Sequence, residues 1–235
     1  MLQAFQVQNV RGMGMKNEEI LKHVDHTMLK AVSTWEDIQT LCEEAIANHT
    51  ASVCIPPSYV RRAADTYGER LNVCTVIGFP LGYNTTETKV YEAQRAIADG
   101  AGELDMVVNL GDVKNGDFPR VTREIEALKK AAGSHVVKVI IETCYLTEEE
   151  KINLCKCVTD GGADYIKTST GFGTAGAKIQ DVRLFKQYIG ESVKIKAAGG
   201  VKTREDLELF LGEGCERIGT SSALKILEGQ EAGSY

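Results

Sequence analysis

Apolar positions along this chain follow two alternating patterns. Short, nearly continuous apolar runs are followed by longer stretches in which apolar residues recur every three or four positions. Asn17 to Lys22 predicts a short helix with Asn17 as N-cap, and His23 to Thr27 a brief strand. Ser33-Thr-Trp-Glu36 has the spacing of a capping box, and Ile38, Leu41, Cys42, Ala45 and Ile46 behind it line one helical face. Ala51 to Ile55 predicts a strand stopped by Pro56 and Pro57, then a helix near Ser58 to Tyr67. Further strands are predicted at Asn72 to Gly78, Glu103 to Val108, Val136 to Glu142, Ala163 to Ser169, Ser192 to Ala198 and Cys215 to Gly219. Helical stretches separate them, marked by Val90, Ala93 and Ile97; by Val121, Ile125 and Leu128; and by Ile152, Cys155 and Val158. Others run near Ile179 to Tyr188, from Thr203 through Phe210, and from Ser221 to Leu227.

About eight strand–helix units in 235 residues match the repeat and length of a TIM (β/α)8 barrel with a short extra N-terminal helix. A doubly wound open sheet is the competing α/β architecture. No linker or composition break divides the chain. We expect a loose leader over residues 1–16, one barrel domain over 17–228 and a tail over 229–235.

The net charge of -6 argues against bulk binding of nucleic acid or an anionic membrane, while leaving room for a local cationic pocket. The 7 cysteines form no CxxC pair and lie mostly within apolar patterns, as expected of packed thiols in a reducing, cytoplasmic compartment. No apolar run is long enough to span a bilayer. The four histidines are dispersed, so no metal site is expected.

Ionisable residues that interrupt apolar strands carry the chemistry. These are Asp105, Lys138 and Lys167, and Lys194 and Lys196 in the seventh strand; Asp25, next to His26 at the end of the first, reads as a hydrogen-bonding group near the pocket floor or a partner for a lysine. A buried ammonium needs a partner, an escape to solvent or a depressed pKa. Lys194 reads as solvated, and Lys138 reads equally as an ion-pair partner of Glu142. Lys167 and Lys196 end neighbouring strands and can approach if both face inward. Two ammoniums ~4 Å apart repel by about 4 kcal/mol at an effective dielectric of 20, enough to free one amine near neutral pH. Such an amine can attack a carbonyl to give an imine, which permits cleavage of the bond between the α and β carbons. Asp105 is placed to move the β-hydroxyl proton, directly or through water.

Gly171, Gly173 and Gly176 match G-x-G-x-x-G, but no acidic residue ends the next strand, so a dinucleotide site is not supported. Gly199, Gly200, Gly219, Ser221 and Ser222 after the last two strands fit a phosphate cradle better, although tight turns alone would also use these glycines. Cys54, at the end of the second strand, either lines the pocket or is simply packed.

The ordered set Asp25-His-Thr-Met-Leu29, Val76-Ile-Gly-Phe-Pro-Leu-Gly82, Glu103-Leu-Asp-Met-Val-Val-Asn109, Lys138-Val-Ile-Ile-Glu142, Asp164 to Gly171, Lys196 to Val201 and Gly219 to Ser222 resembles the deoxyribose-phosphate aldolases. The resemblance runs from about Lys22 to Leu227. It implies a TIM-barrel lyase without cofactor that reversibly cleaves 2-deoxy-D-ribose 5-phosphate into D-glyceraldehyde 3-phosphate and acetaldehyde. It implies Lys167 as the Schiff-base lysine, Lys196 as its tuner, Asp105 as the proton carrier, and Asp25 and Lys138 in support. Gly171, Gly199, Gly200, Gly219, Ser221 and Ser222 fall on phosphate contacts, and Thr170 and Cys54 join them as substrate-binding residues. Tyr235 is a candidate tail proton donor, equally readable as a frayed terminus. The resemblance also implies a homo-oligomer, a dimer or tetramer. A phosphosugar isomerase using carboxylate chemistry, or a phosphosugar-binding barrel without catalysis, are the alternatives; an intact lysine pair argues against the last.

Overall fold

The computed structural model describes residues 14–231. Most of the leader, residues 1–13, and Tyr235 lie outside the described residues. Eight strands, β1 (Val24–Thr27), β2 (Ser52–Ile55), β3 (Val73–Ile77), β4 (Glu103–Val107), β5 (Val136–Ile140), β6 (Tyr165–Lys167), β7 (Lys194–Ala198) and β8 (Arg217–Thr220), close into a barrel in sequence order. Every neighbouring pair is parallel, including β8 with β1. The helices are α1 (Asn17–Leu21), α2 (Trp35–Ala47), α3 (Pro57–Tyr67), α4 (Thr86–Ala98), α5 (Leu110–Lys114), α6 (Phe118–Ala132), α7 (Glu148–Asp160), α8 (Ile179–Tyr188), α9 (Arg204–Gly212) and α10 (Ala223–Leu227). This is the expected TIM barrel with its extra first helix. No helix among the described residues is long and apolar enough to cross a membrane.

Strand alternation divides the buried residues into two sets. Leu104, Met106, Val137, Val139, Ile166, Ile195 and Ile218 face outward and join one core with Ile38, Val60, Ile125, Leu154, Val182 and Leu207 of the helices. Burying each such side chain contributes roughly 1.5–3 kcal/mol. The other set points into the barrel and is largely polar.

Local differences from the sequence expectations have physical reasons. Helix α2 is capped by Thr34 with Asp37, not by Ser33 with Glu36, because Thr34 accepts from the Asp37 amide and Asp37 accepts from the Thr34 amide in return. Asn17 is the first residue of α1 rather than its cap, since its side chain is engaged elsewhere, accepting from Arg204 at 2.7 Å and donating to the Leu227 carbonyl. Strand β6 is shorter than predicted. After Lys167 the chain already turns, and the Thr168 hydroxyl bonds to both the amide and the carbonyl of Ala198. Helix α5 was not expected; Asn109 caps it through the Gly111 amide, and its single turn is too short for a periodic signal. Thr147 caps α7 and Thr203 caps α9, each in a reciprocal capping box with the acidic residue three positions on, Glu150 and Asp206.

Candidate active site

The inward face of the barrel carries charge where branched apolar residues usually fill such barrels. Asp25 comes from β1, Glu103 and Asp105 from β4, Lys138 from β5, Lys167 from β6, Lys196 from β7 and Arg217 from β8. Strand register sets their neighbours: Asp105 pairs with Lys138, and Lys167 pairs with Lys196. With a side-chain period of two, each registered pair points to the same face.

Asp105 is the hub. Its Oδ2 accepts from Lys167 at 2.7 Å and from Lys196 at 2.6 Å, and its Oδ1 accepts from Lys138 at 2.8 Å. Lys196 also bonds Asp25. Lys138 reaches Glu103 at 2.6 Å and Asp25 at 3.4 Å. Arg217 closes the network beneath, on Asp25 and on Glu103 at 3.0 Å, while Ser52 donates to Asp25 at 2.7 Å. The three lysines and the aspartates are buried; Lys167, at the upper end, retains 3% exposure.

Four cations therefore meet three carboxylates. Burial alone would raise Asp105, but Lys138, Lys167 and Lys196 together hold it well below the usual carboxylate range. Asp25 is likewise held down against its burial by Lys138, Lys196 and Arg217. For Lys196, burial works against the ammonium, yet Asp105 and Asp25 outweigh it and raise its pKa. The sequence reading placed the two lysines against each other as bare like charges. Instead a shared carboxylate oxygen lies between them, so Lys196 stays protonated. Lys167 pairs with one carboxylate, where Lys196 has two and Lys138 three.

Above this floor, the loops after β6 and β7 interlock. The Ala177 amide donates to the carbonyls of Ala198 and Gly199, and a Cβ on Gly176 would lie 2.3 Å from Gly199 backbone atoms. Gly171, Gly199 and Gly200 take positive φ, which a side chain would disfavour. Thr170 donates its hydroxyl to Glu142, and its own oxygen accepts from the Phe172 amide. Ser221 and Ser222 follow β8, their hydroxyls 3.4 Å apart. Gly219 is inside β8, registered with Asp25, where a Cβ would stand 3.1 Å from Lys196 Cε. Its small size makes room for Lys196.

A model of the DeoC/LacD family of aldolases matches residues 19–226. The chain belongs to that family. It is 61% identical over 221 residues to a deoxyribose-phosphate aldolase of Clostridium botulinum strain Alaska E43, covering 94% of this chain and 100% of the relative. A solved putative deoxyribose-phosphate aldolase from Coccidioides immitis shares 38% identity with a TM-score of 0.88, covering 93% of this chain and 88% of that one. A tetrameric deoxyribose phosphate aldolase from Aeropyrum pernix shares 33% identity with a TM-score of 0.85, covering 91% and 92%. This chain is thus an aldolase, a carbon–carbon lyase.

Within the aldolase, Asp25, Asp105, Lys138, Lys167 and Lys196 converge, while Lys194 is solvent-facing, paired with Glu216. Lys138 does not pair with Glu142. It turns to Asp105, Glu103 and Asp25, and Glu142, at a positive φ of 52° past the strand end, swings to Thr170. Cys54 faces inward, buried beside Leu29, Cys74 and Val76. Sequence reasoning missed Glu103, Arg217, Ser52 and Cys74. Glu103 and Arg217 share the strand parity of Asp105 and Gly219, which is the signal that could have found them. Among the described residues two donor groups have the spacing to hold a metal, Cys54 with Cys74 and Asp105, and Asp25 with Cys74 and Glu103. Lys138 Nζ stands 2.8 Å from Asp105 and 3.2 Å from Cys74, so an ammonium fills the place of a cation.

Proposed function

We propose that this aldolase reversibly cleaves 2-deoxy-D-ribose 5-phosphate into D-glyceraldehyde 3-phosphate and acetaldehyde through an imine on Lys167. The observation that carries the reading is the position of Lys167 at the end of β6, registered with Lys196 and sharing one Asp105 oxygen with it. The aldolase relatives support the substrate. Lys167 as free amine attacks the C1 aldehyde; loss of water gives the protonated imine. The C2–C3 bond then breaks, the C3 hydroxyl losing its proton as C3 becomes the carbonyl of glyceraldehyde 3-phosphate. The electron pair stays on C2 as an enamine, which is protonated and hydrolysed to acetaldehyde. Asp105 is too acidic to keep a proton, so in this reading it positions a water or the Lys196 ammonium to carry it. Lys138, Asp25, Glu103 and Arg217 hold Asp105 and Lys196 in place. Thr170, Gly171, Gly199, Gly200, Ser221 and Ser222 supply phosphate contacts, with Cys54 near the reacting carbons and Tyr235 a candidate donor from the tail.

Borohydride reduction in the presence of substrate tests this: the adduct is expected on the peptide containing Lys167, and Lys167→Ala should lower turnover at least 1,000-fold. Turnover that survives this substitution would overturn the reading. The Aeropyrum pernix tetramer supports assembly of this chain into a dimer or tetramer, which light scattering reads directly. Free cysteines throughout the described residues support a cytoplasmic setting.

A further inference from the structure

Cys54 and Cys74 are directly registered partners on β2 and β3. Adjacent strands run about 4.8 Å apart, within the Cα separation that a disulfide spans. Both side chains face into the barrel, and their sulfurs, together with an Asp105 oxygen, lie within 4.8 Å of one another. Cys74 donates to Asp105 at 3.1 Å and accepts from Lys138 at 3.2 Å, so this thiol belongs to the environment of the hub carboxylate.

We propose that Cys54 and Cys74 form an oxidisable dithiol, closed by a peroxide into a disulfide that shuts down the aldol reaction. Cys54 attacks the peroxide oxygen as thiolate, giving a sulfenic acid and hydroxide. The Cys74 sulfur then displaces the sulfenic oxygen, its proton leaving with that oxygen as water. In total two thiols and one hydrogen peroxide become one disulfide and two waters; the sulfurs lose two electrons and the peroxide gains them. The pairing favours this order, because the adjoining Cys74 side chain lowers the Cys54 pKa against its burial. Closure removes the Cys74 proton from Asp105 and draws its sulfur away from Lys138. The hub then loses a donor while its three lysines remain. The disulfide itself does not depend on the reaction assigned to Lys167; its effect on turnover rests on that reading.

The test is peroxide treatment of the purified full chain, alkylation of remaining thiols under unfolding conditions and digestion without reductant. The expected product joins the Cys54 and Cys74 peptides and is two hydrogens lighter than their sum. Retro-aldol activity should fall at least tenfold and return with dithiothreitol. In Cys74→Ser neither the cross-link nor the reversible loss should appear, each variant measured against its own untreated rate. Alkylation of both cysteines after treatment, or oxidation confined to the partly buried Cys144, would overturn the proposal. A cross-link with unchanged turnover would overturn its effect on catalysis. Absence of turnover before any peroxide would count against the substrate reading alone.

Discussion

Asp105 serves three ammoniums with two oxygens, and this concentration of charge makes single residues matter out of proportion to their size. Replacing Lys196 with Met leaves two buried carboxylates short of a cation. A loss of about 3–5 kcal/mol is expected from urea unfolding, together with at least a hundredfold fall in kcat. Gly219→Ala is a gentler probe. Its methyl would press on Lys196 Cε and on Ala198 Cβ at 3.2 Å, so kcat should fall about tenfold with the melting temperature little changed. An unchanged kcat would mean that the position of Lys196 does not limit the rate. The lysines and Asp105 were legible in the sequence because a charge on an apolar strand is an anomaly. Glu103 was not, because a charge at the first residue of a strand looks solvated; Arg217 was overlooked although it lies inside the predicted strand Cys215 to Gly219. Cys74 looked like one more small apolar residue.

At the level of elements, strand positions followed from apolar runs, and helix faces from their period. Cap residues were harder, because Ser33 and Thr34 both offer a hydroxyl within reach of an acidic residue three positions on. Only Thr34 completes the reciprocal bonds, while the Ser33 hydroxyl is buried without a partner. Thr34→Ala should therefore cost about 1 kcal/mol and Ser33→Ala nothing, or a slight gain, by chemical denaturation. The link between α4 and α6 was invisible in sequence. Lys89 is fully buried, donating to Glu124 at 2.9 Å and to the Val107 carbonyl at the end of β4 at 2.8 Å. Burial pushes the Lys89 pKa down and the Glu124 pKa up, Glu124 and Lys89 each countering the other's shift. Glu124→Leu alone strands an ammonium and should cost about 3–5 kcal/mol; adding Lys89→Met should restore most of it.

For the molecule as a whole, the charged interior ties six of the eight strands together and makes acid the agent that opens it. Asp25, Glu103 and Asp105 all have pKa values lowered by folding; for Glu103, Lys138 and Arg217 overcome the opposing effect of burial. Each binds a proton less readily folded than unfolded, so the stability they confer is present above about pH 4 and is lost as pH falls below it. Glu142 and Glu124, raised by burial, have the opposite sign and lose their share as pH rises, but they act above the range in which the three lowered carboxylates titrate. The urea midpoint should hold between pH 7 and about 5 and drop steeply below about 4; Glu103→Gln should flatten that acid limb. The barrel itself was readable from the count and spacing of its units. Its polar interior was only half readable, since parity shows which residues face inward but not which strand ends meet across the ring. The register of β6 against β7 has a further meaning for anyone who would re-engineer this enzyme. A slip of one residue would turn Lys167 or Lys196 out of the lumen, and a closed ring cannot slip at one seam without straining every other. The lysine pairing is therefore a discrete choice with no graded intermediates. Libraries aimed at new aldehydes belong in the loops above the strands, where small displacements are tolerated, and strand insertions should be discarded before screening.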